Sequence, residues 1–188
     1  MGSGHGRPPL KDDPLDVADL VARILDRMGV PYLIGGSFAS SVHGEPRASH
    51  DVDMVADLKP SHAEPLLEAL GSAFYADEGA IREAIRSHTA FNVIHLETMF
   101  KVDVYVPAPS EMATEEMGRR RRVMLRMDPE VTLFVASAED TVLQKLDWHR
   151  KGGGVSDRQW RDILGVLKVQ GARLDLAYLH RWAGALGL

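Results

Sequence analysis

The sequence has 188 residues, 45% of them hydrophobic and 26% charged, which is typical of one globular domain and excludes a disordered or low-complexity chain. Its 22 Lys and Arg against 27 Asp and Glu give a formal net charge of −5, so general binding to a nucleic-acid backbone is not expected. The absence of cysteine excludes disulfides, thiolate catalysis and cysteine zinc sites. No apolar run is long enough to cross a membrane, so we expect a soluble, cytoplasmic protein with no membrane partner.

The first predicted helix follows a polar segment. Glycine, proline and charged residues dominate positions 1–12, which we predict to be a flexible N-terminal tail. Asp13 and Pro14 then have the residue types of an N-cap and a first helical position. Apolar residues recur at helical spacing as far as Met28, and Gly29 is a natural C-terminal stop. The pattern predicts a helix that packs on the core.

Two strands with a turn and a short helix between them come next. The apolar run at 30–34 predicts a buried strand, which a Gly-Gly-Ser turn connects to a short helix over 38–43. A second strand is predicted over 51–56. Its alternation places Asp51 and Asp53 on one face and apolar residues on the other.

The rest of the chain predicts a hairpin, one more strand and several helices. The predicted strands cover 91–95, 99–106 and 131–135, with the first two forming the hairpin. The predicted helices cover 61–71, 78–87, 110–118, 138–150, 156–169 and 173–186. We therefore predict an α/β (α+β) fold, with a mixed-sheet core over 13–136 and a C-terminal helical extension over 137–188.

A phosphate-binding turn is predicted where the first strand meets its helix. Gly35 and Gly36 allow backbone N–H groups to approach an anion closely, and the helix N-terminus adds partial positive charge. The Ser37 hydroxyl is a further donor. The turn is therefore a candidate site for a nucleoside triphosphate.

Three aspartates are candidates for a metal site. Asp51 and Asp53 point the same way from one strand, roughly 6–7 Å apart at their Cα atoms. Asp103 shares a polar strand face with Lys101 and Tyr105, and it completes the site if its strand neighbours that of Asp53. Carboxylates held together repel each other unless a cation lies between them, and hard oxygen ligands suit Mg²⁺ or Mn²⁺. Such a site can hold two metal ions and perform phosphoryl or nucleotidyl transfer.

The order of these features resembles the nucleotidyltransferase superfamily with the DNA-polymerase-beta-like fold. That family has a glycine turn, an Asp-x-Asp strand and a third acidic strand residue, which match Gly35, Gly36, Ser37, Asp51, Asp53 and Asp103. The surroundings resemble a minimal bacterial branch related to abortive-infection toxin nucleotidyltransferases. The similar stretches are His43-Gly44-x-x-Arg47-x-Ser49-x-Asp51-x-Asp53, Glu139-Asp140 with Lys145-Leu146 and Trp148, and Arg158-Gln159-x-Arg161-Asp162.

The resemblance implies a nucleotidyltransferase core that moves a nucleoside monophosphate from an NTP, expected to be ATP, with the help of Mg²⁺ or Mn²⁺. It implies that Asp51 and Asp53 bind both metal ions, and that Asp103 binds the catalytic ion and helps to deprotonate the attacking hydroxyl. It also implies that Ser37 and the backbone of the glycine turn hold the β- and γ-phosphates.

Four further residues have two interpretations each. Arg47 either contacts phosphate or pairs with an acid and braces its loop. Lys145 either reaches the triphosphate, as the resemblance implies, or is an exposed helical lysine. Trp148 and Trp160 are expected to pack helices together, but an aromatic ring near the cleft could also stack on a base.

The basic residues concentrate in one part of the chain, at 119–122 and at Arg126. Such a concentration could receive RNA or an acidic acceptor. We expect instead a solvated surface, or ion pairs with acids such as Glu115 and Glu116, because the total charge of the chain is negative.

Three functional hypotheses follow. The first is a metal-dependent nucleotidyltransferase whose acceptor is a tRNA 3′ end, a protein hydroxyl or a small molecule such as an aminoglycoside. It could act within a toxin–antitoxin pair, with a cognate antitoxin as partner. The second is a catalytically silent protein of the same fold that binds a partner. The third is a metal-dependent phosphohydrolase, which would release phosphate instead of pyrophosphate.

Overall fold

The structure is a computed structural model that describes residues 13–49 and 51–188, so the predicted tail at 1–12 lies outside the described residues. These residues form a seven-stranded sheet and eight α-helices. The strands are β1 (Tyr32–Ile34), β2 (Asp51–Ala56), β3 (Phe74–Tyr75), β4 (Ala90–His95), β5 (Lys101–Tyr105), β6 (Arg121–Met127) and β7 (Glu130–Val135). The helices are α1 (Pro14–Arg27), α2 (Gly36–His43), α3 (Ala63–Leu70), α4 (Glu78–Ser87), α5 (Glu111–Arg119), α6 (Ala138–Lys151), α7 (Asp157–Gln170) and α8 (Leu176–Leu186).

The sheet is mixed, with strand order β3-β4-β5-β2-β1-β7-β6. β2 runs parallel to β5, and β1 runs parallel to β7. The other neighbouring pairs are antiparallel, including the predicted hairpin of β4 and β5. The predicted fold class, a mixed α/β arrangement with helices after the last strand, is confirmed.

The two faces of the sheet have different roles. On β2, Val52, Met54 and Ala56 are buried in one apolar core that also contains residues of α1, α3 and α4. The alternate residues Asp51 and Asp53 therefore project from the opposite face. Helix α2 contacts β2 as well as α6 and α7, so these helices are grouped around the acidic strand.

Local sequence signals explain the helix starts. The Asp13 carboxylate accepts a hydrogen bond from the Leu15 backbone N–H at 2.9 Å, and Pro14 occupies the first helical position, as predicted for α1. Asp77 caps α4 in the same way through the N–H of Ala80. These caps satisfy backbone donors that have no partner within the helix.

Several boundaries differ from the prediction. β1 begins at Tyr32 and not at residue 30, while α2 begins at Gly36, two residues before the predicted helix. The predicted helix over 61–71 is a 3₁₀ turn at Pro60–His62 followed by α3, and α8 follows a further 3₁₀ turn at Gly171–Arg173. A 3₁₀ turn often occupies a helix terminus, where the backbone pattern of a helix is tightened.

Strand β6 is absent from the prediction. It lies at the edge of the sheet, and none of its seven residues is fully buried. An edge strand with little burial has no strong alternation of apolar and polar residues. The short strand β3, at the other edge, was missed as well.

The boundary predicted at 136/137 stays a prediction. The largest apolar core ends at Ala136, and two smaller clusters are built mainly from α6, α7 and α8. In the part of the chain that the structure describes, no helix combines the length and apolar character needed to span a membrane.

Candidate active site

The two strands that carry the predicted carboxylates lie side by side. Their parallel register places Asp53 directly opposite Asp103, and Asp51 opposite Lys101. Neighbouring strands are about 4.8 Å apart, so these four side chains project from one small area of one sheet face. The strand pairing on which the predicted acidic site depends is present.

Negative charge is concentrated at Asp53. Burial and the neighbouring carboxylate of Asp103 raise the pKa of Asp53 above its ordinary value, and Asp51 adds a smaller effect in the same direction. A hydrogen bond from the Ser37 backbone N–H and the charge of Lys145 offset only part of this. The site therefore favours the binding of a further positive charge.

A lysine already neutralises part of the cluster. Lys101 Nζ lies 2.9 Å from Asp103 Oδ2, and this hydrogen bond raises the pKa of Lys101. The ammonium group of Lys101 thus lies where a metal ion bound to Asp103 could lie.

The chemistry of the carboxylates fits a hard divalent cation, because Asp53 and Asp103 face each other and Asp53 has too little positive charge around it. The side chains are not yet arranged as a complete set of metal ligands. Within residues 13–49 and 51–188, no group of three His, Cys, Asp or Glu side chains has the geometry to hold a metal ion. Lys101 binds Oδ2 of Asp103, so such an ion would either displace Lys101 or bind at the other carboxylate oxygen, and the exposed Asp51 side chain would complete the cluster.

The glycine turn is built against the same aspartate. Gly36 has φ +55°, and a Cβ at this position would overlap the Asp53 carboxylate. The Gly35 N–H donates to the Asp53 backbone carbonyl at 2.9 Å, so in this structure that amide is not free to meet a phosphate. Gly36 is therefore required for the close approach of the turn to Asp53.

Ser37 belongs to a network of fixed charges. Arg47 Nη2 donates to Ser37 Oγ at 2.5 Å, and Nε and Nη2 of Arg47 donate to the two carboxylate oxygens of Asp162 at 2.8 and 2.9 Å. Lys145 Nζ lies 2.8 Å from Asp162 Oδ2. Burial alone would raise the pKa of Asp162, but hydrogen bonds from Arg47 and Lys145 outweigh burial and hold the pKa below its usual range. Arg47 is thus held against the Ser37 hydroxyl, and Lys145 is held by the same acid as Arg47.

Arg47 and Lys145 both have an acidic partner in the structure. Arg47 pairs with an acid, as one interpretation required, and it also contacts Ser37. The exposed alternative for Lys145 is wrong, because only 8% of its side chain is exposed. It is buried because α7 covers it and supplies Asp162 as its partner.

The prediction gave Asp162 no role, although it appeared in a similar stretch. In α7 it is a buried acid beside the apolar Ile163 and Val166. An acid on the core-facing side of an amphipathic helix needs a cationic partner, and this signal was available in the sequence.

Two cavities meet at the acidic strand, and Ser37, Asp53, Lys145 and Gln159 line both of them. The smaller cavity, of about 200 Å³, is walled by charged and hydroxyl groups, which include Arg47, Asp51, Asp103, Arg158 and Asp162. We call it the polar cavity. The larger one, of about 310 Å³, also has apolar walls, and we call it the mixed cavity.

The mixed cavity has an aromatic wall. Trp148 packs edge-to-face on Tyr105, with ring centroids 5.6 Å apart, and 51% of the tryptophan is exposed. Trp148 therefore packs on β5 and lines the cavity, whereas the prediction expected it between helices. Trp160 does contact a neighbouring helix, with its ring 5.6 Å from that of His149.

Two arginines of the basic run form ion pairs with acids and Arg121 and Arg122 are exposed, as expected, but the predicted partners Glu115 and Glu116 are wrong. Arg119 pairs with Glu139 at 3.0 Å, and Arg126 pairs with acids at the start of α1. Glu115 pairs instead with an arginine of α8, and Glu116 accepts a hydrogen bond from a glutamine of α6. These arginines form ion pairs between different elements of the fold. Such partners are distant in the sequence, because α5 and β6 lie next to α6 and α1 only in the folded chain.

Neither a protein-family model nor a curated protein sequence matches the chain. Solved structures do match. ANT(2″)-Ia in complex with adenylyl-2″-tobramycin is 13% identical, with a TM-score of 0.58 over 92% of this chain and 95% of that one. An antigenic nucleotidyltransferase-like protein from Paracoccidioides brasiliensis is 19% identical, with a TM-score of 0.57 over 94% of this chain and 91% of that one. The lincosamide antibiotic adenylyltransferase LnuA, bound to lincomycin, is 12% identical, with a TM-score of 0.52 over 81% of this chain and 96% of that one.

These similarities establish the fold. The chain has the architecture of nucleotidyltransferase structures over most of its length, and the predicted fold is confirmed. The toxin branch is not among these similarities. At such low identity the activity has to be argued from the site.

Proposed function

We propose that the protein is a metal-dependent nucleotidyltransferase, which moves a nucleoside monophosphate from an NTP, in the first instance ATP, to a hydroxyl of an acceptor. One observation carries the proposal: the paired aspartates Asp53 and Asp103 lie at the same place as Ser37 and the fixed cations Arg47 and Lys145. Transfer of a nucleotidyl group needs acids at the reacting phosphate and cations on the leaving phosphates.

The polar cavity is the proposed triphosphate site. Ser37, Arg47, Lys145 and Arg158 line it and supply hydroxyl, guanidinium and ammonium donors for the β- and γ-phosphates. Because Asp162 binds both Arg47 and Lys145, their positions are set before the substrate arrives. Such preorganisation reduces the entropic cost of binding.

Asp51, Asp53 and Asp103 are the proposed ligands of Mg²⁺ or Mn²⁺. When bound, the ion would act as a Lewis acid at the α-phosphate and neutralise the charge that develops there. Asp103, which lies opposite Asp53 in the sheet, is the proposed acceptor for the proton of the acceptor's hydroxyl. The hydroxyl oxygen then bonds to the α-phosphorus, the bond from that phosphorus to the bridging oxygen breaks, and pyrophosphate leaves along the cations of the polar cavity.

The acceptor remains one of three classes: a tRNA 3′ end, a protein hydroxyl or a small molecule. Two similar structures, one in complex with adenylyl-2″-tobramycin and one bound to lincomycin, support a small molecule. A toxin–antitoxin role with a cognate antitoxin rests on the sequence resemblance alone.

A second candidate function is a catalytically silent binding protein. The ion pair of Lys101 with Asp103 and the hydrogen bond from Arg47 to Ser37 favour it, because both occupy groups that a substrate would need. The two functions differ in one respect that can be measured: only the enzyme turns over an NTP.

The test incubates the full chain with each NTP labelled at the α-phosphate, Mg²⁺ or Mn²⁺, and a cell extract separated into RNA, protein and small-molecule fractions. We expect label in one fraction, with pyrophosphate released, and no label with a chelator or with Asp103→Asn. If no fraction is labelled but NTP and metal still raise the melting temperature of the chain, the silent binding protein is favoured. Release of phosphate in place of pyrophosphate would favour a phosphohydrolase.

A further inference from the structure

Glu116 differs from the other buried acids. Each of the others forms an ion pair with an arginine or a lysine; they are Asp16, Asp19, Glu139, Asp140 and Asp162. Glu116 is 8% exposed, and within the described part of the chain no lysine, arginine or histidine pairs with it. Its hydrogen-bond partner is the side-chain amide of Gln144.

An acid buried without a cation is costly, because it loses its hydration and gains no opposite charge. Burial and the nearby Asp140 raise the pKa of Glu116 to about 8, and the hydrogen bond from Gln144 offsets only part of this effect. A cation that bound next to this carboxyl would stabilise its charged form, because no other positive group among the described residues does so.

The cavity shows where a cation would enter. Glu116 and Gln144 both line the mixed cavity, and Trp148 and Tyr105 form another part of its wall. The lysine that lines the same cavity, Lys145, is already bound by an acid of α7. An aromatic wall and an acid are the groups that hold an organic ammonium ion.

We infer, on the basis of the proposed function, that the acceptor is a small molecule with a protonated amine, and that Glu116 binds this amine in the mixed cavity. On binding, the ammonium group donates hydrogen bonds to the carboxylate, and a proton that Glu116 carried beforehand passes to solvent. Asp53, which lines both cavities, then lies between the acceptor and the phosphates.

The charges around the cavity favour an amine over a nucleic acid. Glu116 and Asp53 line the cavity and Asp140 lies near Glu116, and carboxyl groups offer no attraction to a phosphate backbone. In the basic run, Arg119 is paired with Glu139 and is not available to bind RNA. A cavity of about 310 Å³ has the size of a small-molecule site.

The probes are tobramycin, glucosamine and ethanolamine, each compared with its fully N-acetylated derivative. The members of a pair have the same skeleton, but only the first carries charged amines. Binding is measured by calorimetry with the full-length chain carrying Asp103→Asn, which lines only the polar cavity, so that the result does not depend on turnover. The test variant is Glu116→Gln, which keeps shape and the hydrogen bond from Gln144.

We expect at least one amine to bind roughly tenfold or more tightly than its acetylated derivative, and Glu116→Gln to weaken that amine about 10- to 100-fold. Glu115→Gln is the matched control, because Glu115 is on the same helix but pairs with Arg181. Equal binding within all three pairs, an unchanged amine affinity in Glu116→Gln, or a loss of ATP affinity in its place would overturn the inference. Amine binding without transfer by the unmodified chain would support the amine site and contradict the proposed function.

Discussion

The two cavities beside Asp53 hold buried charge in opposite ways. In the polar cavity, Asp162 is bound by Arg47 and Lys145, and these ion pairs hold its pKa low. In the mixed cavity, Glu116 has only an amide partner, and burial raises its pKa to about 8. The comparison indicates that the charges of the polar cavity are paired before a ligand arrives. In the mixed cavity Glu116 has no positive partner among residues 13–49 and 51–188, and a ligand can supply one.

The largest expected effect is on the aspartate that both cavities share. Asp53→Asn should lower nucleotidyl transfer at least about 100-fold, because an amide cannot supply the negative charge that the reaction needs. The melting temperature should stay the same or rise, since burial and Asp103 already disfavour the Asp53 carboxylate. Rates with α-labelled ATP and thermal melts check this, with Asp57→Asn, an exposed position just after β2, as the control. A variant that retains its rate would remove Asp53 from the chemistry.

The next effect concerns Asp162, the paired acid of the polar cavity. Asp162→Asn leaves Arg47 and Lys145 without their buried partner, which should cost about 3 kcal/mol of unfolding free energy and raise KM for the NTP about tenfold. Because the folded pKa of Asp162 is depressed, its stabilising effect is full above the ordinary value of 3.8 and is lost as the pH falls through the lower folded pKa. Urea unfolding at several pH values measures it. Asp157→Asn, exposed on the same helix, should change little; equal losses in both variants would contradict the proposed role of Asp162.

The glycine turn gives a smaller effect that separates backbone strain from contact with the site. Gly29→Ala meets only an unfavourable φ of +68° with open space around it, and should cost about 1 kcal/mol. Gly36→Ala meets φ +55° and the Asp53 carboxylate, and should cost about 2–3 kcal/mol and most of the activity. Equal stability and activity of the two variants would show that the turn does not need to approach Asp53.

The smallest effect concerns the unpaired acid. Folded Glu116 keeps its proton up to about pH 8, whereas the unfolded chain loses it near the ordinary value of 4.5, so this residue lowers the unfolding free energy as the pH rises between these values. Glu116→Gln removes this pH dependence of the unfolding free energy. At pH 9 the variant should be more stable than the unmodified chain by about 2 kcal/mol, a value that is reduced because water can reach the cavity. Urea unfolding at pH 5, 7 and 9 provides the comparison. Parallel pH curves for the two proteins would mean that Glu116 is charged and solvated already.

The sequence was sufficient for features that local rules determine. Asp13 and Pro14 define the start of α1, and the alternation around Asp53 and Asp103 defines the acidic face of the sheet. Strand β6 was missed because edge strands carry a weak apolar pattern. Local rules cannot supply partners from distant parts of the chain.

The partners of Asp162 and Glu116 illustrate this limit. Asp162 binds Arg47, 115 positions away, and Glu116 contacts Gln144, 28 positions away. The helical position of Asp162 indicates that it needs a cation but not which one, and nothing near Glu116 in the sequence indicates a partner for it. Their different environments became visible only once α5, α6 and α7 were in place.

The most direct test of the proposed transferase compares ATP labelled at the α-phosphate with ATP labelled at the γ-phosphate, in the presence of Mg²⁺ and an acceptor fraction. We expect only the α-label to reach the acceptor, the γ-label to leave as pyrophosphate, and both products to disappear with Asp53→Asn. Transfer of the γ-label to the acceptor, or its release as free phosphate, would contradict the proposed transferase.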